Sequence, residues 1–160
     1  MRVLAVDPGT TESAWVLYDP EAHAVTHMDI QPNDRVLEFV QGYGGPSSTL
    51  AVEMVQSFGM PVGAEVFETV LWTGRFVEAW GGPWRKIYRK DVKLHLCQSL
   101  RAKDPNIRQA LLDRFPRTGG GKTPQVGTKA EPGPLYGFKS HLWSALAVAL
   151  TAAETKEDEC

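Results

Sequence analysis

The sequence predicts an α/β fold, a mixed sheet of three antiparallel strands continued by parallel strands and flanked by helices. Three observations predict it. Two short apolar runs near the N-terminus are separated by a Pro-Gly turn. A third, alternating run follows at hairpin spacing. Beyond it, short apolar runs alternate with segments of helical period, the order of a sheet extended through crossovers.

The first run, Val3 to Val6, is continuous, as in a strand buried on both faces, and Asp7 ends it. Pro8-Gly9-Thr10-Thr11 is a turn, and residues 11–18 form the second strand. Asp19-Pro20-Glu21-Ala22 turns the chain again, and Ala24 to Ile30 completes an antiparallel meander. Asn33 or Asp34 can N-cap a helix through Val36, Leu37, Phe39 and Val40, which residues 42–46 end. Thr49 to Met54 is a second apolar run stopping at a carboxylate, Glu53. Residues 58–63 are a flexible junction, and residues 64–79 have the period of an amphipathic helix. Trp84 to Tyr88 is a short strand, and Lys90 to Cys97 a helix with Asp91 in its first turn. Asp104-Pro105 starts another helix, running to Phe115. The Gly- and Pro-rich stretch 116–136 is expected to be a mobile basic loop, and Tyr136 to Ala153 a closing helix. Residues 1–153 thus form one domain, with a charged, frayed tail at 154–160.

The chain has 160 residues, 42% hydrophobic and 22% charged, the composition of a soluble globular protein. No apolar run is long enough for a membrane span, and a strand with an acidic end at the N-terminus argues against a signal peptide. The two cysteines, Cys97 and Cys160, form no disulfide or zinc pattern, which points to a reducing, cytoplasmic setting. The net charge of −2 conceals an asymmetry. Residues 1–84 carry three basic and eleven acidic side chains, whereas residues 85–129 carry twelve basic and three acidic. An acidic half that can hold cations is joined to a basic segment that can hold a polyanion such as DNA.

If the strands ending at Asp7 and Glu53 lie side by side, their carboxylates converge. Two carboxylates pressed together raise one another's pKa unless a cation lies between them, so a divalent metal is the natural occupant. His141, on the closing helix with Ser144 three residues on, is a candidate third ligand. Gly119-Gly-Gly-Lys-Thr123 imitates a phosphate-binding loop, but Pro116 stands where its first glycine is needed, and the stretch follows a helix.

These segments resemble RuvC-type Holliday-junction resolvases, the phage-like branch in particular, within the RNase H-like superfamily. The resemblance rests on Leu4-Ala-Val-Asp-Pro-Gly-Thr-Thr11, Ala51-Val-Glu53, Tyr88 with Val92-Lys93, and His141 followed by Ser144-Ala-Leu-Ala147. It implies an RNase H-like nuclease that cuts four-way DNA junctions symmetrically as a homodimer, with two Mg2+ per active site and Mn2+ as a possible substitute. It assigns metal binding and catalysis to Asp7, Glu53 and His141, and places Lys93 and Lys103 near the DNA backbone, with Lys93 also a candidate catalytic residue that stabilises charge developing on the phosphate. A phage-encoded member would work in the bacterial host cytoplasm. Ser144 departs from the pattern, standing where the family has its last aspartate. Either Ser144 holds a water of the metal, or a carboxylate such as Glu65 or Glu68 moves in, or the second metal is weak.

Arg85, Lys86, Arg89, Lys90, Lys93, Lys103 and Lys122 are the candidate backbone contacts, and Phe58 a candidate wedge at the crossover. Trp72, Phe76 and Trp80 recur every four residues and mark helix 64–80 as a candidate dimer interface. A broader nuclease for flaps and branched DNA, or a non-catalytic junction binder, are the alternatives. A sugar-kinase-like phosphate binder is disfavoured because the chain lacks a second large domain.

Overall fold

The computed structural model describes residues 1–44 and 47–155, so Gly45, Pro46 and most of the charged tail lie outside the described residues. The elements are β1 (Arg2–Asp7), β2 (Glu12–Asp19), β3 (Ala24–Pro32), α1 (Asn33–Tyr43), β4 (Ser48–Met54), α2 (Ala64–Trp80), β5 (Trp84–Tyr88), α3 (Arg89–Cys97), α4 (Asp104–Leu112) and α5 (Leu142–Glu154). Sheet order is β3-β2-β1-β4-β5, with the first two pairings antiparallel and the last two parallel. This is the mixed sheet expected from the sequence.

The central position of β1 follows from its composition. Leu4 and Val6 enter a core with Val36 and Val40 of α1 and Phe76 and Trp80 of α2. Val3 and Ala5 enter the opposite core, with α3, α4 and α5. The strand is therefore covered on both faces, which only a continuous apolar run tolerates. α5 is buried from Ala145 to Ala152, with Thr151 the sole polar member of that run. Thr151 satisfies its hydroxyl on the Ala147 carbonyl at 2.8 Å. A helix apolar on every side has to be enclosed.

Five local expectations are corrected. Pro32, not Asn33 or Asp34, occupies the N-cap of α1. Asn33 is buried and staples the β1–β2 turn: its Nδ2 donates to the Gly9 carbonyl at 2.9 Å, and its Oδ1 accepts from Ser13 Oγ at 2.5 Å. Ser13 Oγ in turn accepts the Gly9 N–H at 3.1 Å. A Cβ on Gly9 would lie 2.2 Å from the Glu12 carbonyl oxygen, so only glycine fits there.

The expected stripe of α2 is divided by the fold. Phe76 and Trp80 are buried against the molecule's own sheet, and Trp72 packs against that core. They are unavailable as a dimer face; the exposed apolar residues of α2 are Phe67, Val70 and Leu71. α4 stops at Leu112, and Phe115 is buried beyond it, stacked on His23 at 4.9 Å.

The closing helix starts at Leu142, not Tyr136. Gly137 and Ser140 have φ of +86° and +48°, outside the helical region, although Leu135 and Phe138 are buried and prolong the apolar period. The 116–136 stretch, expected to be loose, is folded on itself. Gly119 N–H donates to the Pro124 carbonyl at 2.8 Å, Gly120 N–H to Glu131 at 2.9 Å, and Gly133 N–H to Val126 at 2.9 Å. These amides are committed to the loop's own carbonyls and do not form a phosphate cradle.

Candidate active site at the carboxyl edge of the sheet

Three parallel strands, β1, β4 and β5, end at one edge, where α/β sheets commonly build their sites. Val6 of β1 lies opposite Val52 of β4, so the next step along the ladder brings Asp7 and Glu53 together. β5 ends at Tyr88, and Arg89 opens α3 at the same edge. The Tyr88 N–H is held by Asp91 Oδ2 at 3.1 Å, which fixes how α3 leaves the strand.

The two carboxyl groups are hydrogen-bonded to each other, and both are pushed above the usual carboxylate range. For Asp7 the first cause is burial, opposed by the Glu53 hydrogen bond and the Arg89 charge. For Glu53 burial again leads, reinforced by the Asp7 charge and hydrogen bond and opposed by Arg89 and His141. Two acids that cannot both ionise cheaply share a proton.

His141 stands at the N-cap of α5, and its Nδ1 lies 2.9 Å from Asp7 Oδ2. The imidazole side chain is 73% exposed while the Asp7 side chain is 14% exposed, so the ring covers the carboxylate from the solvent side. Asp7, Glu53 and His141, the three residues singled out in the sequence, therefore converge. Among the described residues, however, no set of three or more His, Cys, Asp and Glu side chains forms a complete metal cluster.

Ser144, in the first turn of α5, lines a neighbouring cleft of about 320 Å³ together with Arg89, Asp104, Ser140 and Trp143. Glu65 and Glu68 are exposed on α2 and are not among the groups that act on Asp7 or Glu53. The cation facing the acid pair is Arg89, not Lys93, which follows four residues later on α3 and is half-buried. Arg89 also pairs with Asp104. The signal that could have found its role is its position, directly after a strand ending at the carboxylate edge.

Other predicted DNA contacts separate into two groups. Phe58 is 75% exposed on the connection after β4. Lys86, Lys90, Lys103 and Lys122 are exposed, with Lys86 and Lys90 lying over the rings of Trp84 and Tyr88. Arg85 is different. Its Nη1 donates to the carbonyls of Ala152 (2.6 Å) and Thr155 (2.9 Å), and Nη2 to Thr155 Oγ1 (3.1 Å). It caps the C-terminus of α5, so in this fold its guanidinium is engaged by the protein's own carbonyls.

No protein-family model and no curated protein sequence matches the chain. Solved structures do match. Thermus thermophilus RuvC superposes with a TM-score of 0.67 at 21% identity, over 96% of this chain and 93% of that one. T. thermophilus RuvC in complex with a Holliday junction substrate gives 0.65 at 20% identity, over 96% and 92%. With its sheet order and its flanking helices, this chain has the RuvC fold, a member of the RNase H-like architecture.

Proposed function

We propose that this chain is a metal-dependent, structure-specific endodeoxyribonuclease that resolves four-way (Holliday) DNA junctions by symmetric phosphodiester hydrolysis. The observation that carries this reading is the half-buried Asp7–Glu53 pair at the carboxyl edge of a RuvC-fold sheet, touched by His141 and faced by Arg89. The RuvC structure bound to a Holliday junction supports branched DNA as the partner.

The donor set fits a hard divalent cation. Hard oxygens from Asp7 and Glu53, both raised by burial and proximity, would exchange their shared proton for a charge that satisfies both. Asp7 and Glu53 are the core of this set, His141 adjoins them, and Ser144 lies in the next cleft. Mg2+ is the assigned ion, two per site, with Mn2+ able to substitute. When bound, the ions supply Lewis-acid stabilisation of the scissile phosphate and activation of water.

The chain's own residues do the rest. His141 Nδ1 orients the Asp7 carboxylate. Arg89 meets charge developing on the phosphate, and Lys93, one turn further along α3, reinforces it. Lys86, Lys90, Lys103 and Lys122 hold the arms of the junction through their backbones. Phe58 stacks at the opened crossover.

Symmetric cutting requires two sites at fixed separation, hence a C2 homodimer. Its interface is the outer face of α2, where Phe67 is 64% and Leu71 58% exposed. Among the described residues no helix is long and apolar enough to cross a membrane. A junction nuclease would act in the cytoplasm, the host's if phage-encoded.

The second reading, a non-catalytic junction binder, is favoured by one observation: no complete metal cluster is present among the described residues, and Ser144 adds no charge. Cleavage of a labelled four-way junction, with duplex and flap controls, under Mg2+ and Mn2+, decides between them. Paired symmetric nicks, lost in Asp7→Asn, are the expected result. Equal cutting of flaps would indicate a broader branched-DNA nuclease, and tight binding without cutting under either ion would make the chain a binder.

A further inference from the structure

The cleft beside the carboxylate site has features that holding a phosphate alone does not require. It lies where α3, α4 and α5 begin, and has a volume of about 320 Å³. That is the low end of the roughly 300–1,000 Å³ of small-molecule sites, sized for a single nucleotide and far too small for duplex DNA. We propose that this cleft receives one unstacked nucleotide of the DNA strand, adjoining the scissile phosphate, with its base against the Arg108–Trp143 stack. The proposal rests on the nuclease reading above and adds a base-binding subsite to it.

The lining carries the argument. The Arg108 guanidinium lies 4.4 Å from the centre of the Trp143 ring. The pair presents a flat, cationic surface, the kind on which unpaired bases stack. Phe138 packs against Trp143 at 5.3 Å and supports the indole from within. Ile107 provides an apolar wall, and the hydroxyls of Ser140 and Ser144 provide donors and acceptors for a base edge. Asp104, also at the cleft, pairs with Arg89.

Continuity with the acid pair fixes which nucleotide this is. Ser140 and Ser144 flank His141 in the chain, and His141 touches Asp7. Arg89 lines the cleft and also acts on Asp7 and Glu53. A strand whose phosphate sits at the carboxylates would therefore place a neighbouring base in the cleft. The serine at position 144, which is unexplained as a metal ligand, becomes a base contact in this account.

The test uses junctions carrying 2-aminopurine at successive positions around the cut site mapped with the wild-type protein. Each is bound by full-length Asp7→Asn without metal, so that nothing is cut, and affinity is followed separately by the anisotropy of a distal dye. The expected result is a change in emission at one position next to the cut phosphate. Arg108→Ala in the same background abolishes that change and weakens binding roughly five- to 150-fold, as loss of one stacked base does. Arg108 is exposed, so the substitution leaves the fold intact. Wild-type cleavage of a junction abasic at that position should slow, while abasic sites two or more positions away should not matter. Tight junction binding with no position-specific change, or a change that persists in Arg108→Ala, overturns the subsite. No junction binding at all overturns the nuclease reading and the subsite with it, and the anisotropy measurement identifies that case.

Discussion

α5 carries a histidine–carboxylate contact at each end, and the two ends are not alike. At the C-terminal end, His95 Nε2 lies 2.5 Å from Glu154 Oε2, and Arg114 Nε lies 3.4 Å from Glu154 Oε1. The Arg114 carbonyl accepts from His23 Nε2 at 2.5 Å, and Tyr18 Oη donates to His23 Nδ1 at 2.7 Å. Burial, with the charges of Glu154 and Asp19 behind it, pushes the Tyr18 hydroxyl up to about 12, so it stays a neutral donor. Here one carboxylate is met by an arginine and an imidazole. At the N-terminal end two half-buried carboxylates share one exposed imidazole and an arginine already paired with Asp104. Residue types are nearly the same; charge balance is opposite. A compensated cluster holds elements together, whereas an under-compensated buried one is poised to take a cation.

The largest expected contrast is catalytic. On the proposed function, Asp7→Asn lowers junction cleavage about a thousandfold or more, about 4 kcal/mol of transition-state stabilisation. Glu154→Gln should leave the rate within about twofold, because a carboxylate at the far end of α5 touches no reacting group. Rates measured side by side on one junction check this. Equal losses in both variants would mean that the two ends do not differ in function.

The next contrast is in pH dependence. Burial raises Asp7 from 3.8 to about 6 and Glu53 from 4.5 to about 8. The fold therefore favours their protonated forms. Their contribution is fully present below about pH 4 and is lost as pH rises through 6 and on through 8. Thermal melting of the metal-free protein should show stability falling by a few kcal/mol between about pH 5 and 9. Glu53→Gln should flatten most of that slope. Mg2+ should raise the melting temperature more at about pH 8.5 than at pH 5.5, since binding requires the deprotonated pair. A metal shift independent of pH would show that the ion binds elsewhere.

At the compensated end the expected effect is on stability alone. His95→Ala leaves Glu154 with Arg114 only, and should cost about 1 kcal/mol in denaturant unfolding. Junction cleavage should be unchanged. A loss of cleavage without a loss of stability would assign this cluster a part in the reaction.

The sequence made the carboxylate edge legible because the determinants are local. An apolar run ending in an acid states both where a strand lies and where it stops, and β1 and β4 each have that form. His141 was a candidate from its place on the closing helix, and the resemblance singled it out; in the fold its Nδ1 lies 2.9 Å from Asp7 Oδ2. What was misread depends on contacts distant in sequence. Leu135 and Phe138 continue the apolar period of α5, but they are buried from a turn whose positive φ values hydropathy does not register. The Trp72, Phe76, Trp80 stripe fits a partner surface and the chain's own sheet equally well by spacing alone. The 116–136 loop is held by tightly packed glycines: a Cβ on Gly133 would lie 2.3 Å from the Pro124 carbonyl oxygen. Arg89 and Asp104 are fifteen residues apart, and no pattern announces that they meet at the site.

The smallest effects separate structural from DNA-facing cations within the basic segment. Arg85 neutralises the C-terminal carbonyls of α5, adding to the compensation that Arg114 supplies to Glu154. Lys90 is exposed on α3, beside the carboxylate edge. Arg85→Ala should lower stability by about 1 kcal/mol and leave the salt dependence of junction binding unchanged. Lys90→Ala should leave stability within about 0.5 kcal/mol and reduce the slope of log affinity against log salt by about one. Binding isotherms at several salt concentrations, with urea melts of the same proteins, read both. A reduced slope in Arg85→Ala would mean that its guanidinium leaves α5 for DNA on binding. An unchanged slope would place Arg85 with Arg114, the two arginines by which the fold neutralises one end of α5, while at the other end two carboxylates lie side by side with an arginine already paired to Asp104.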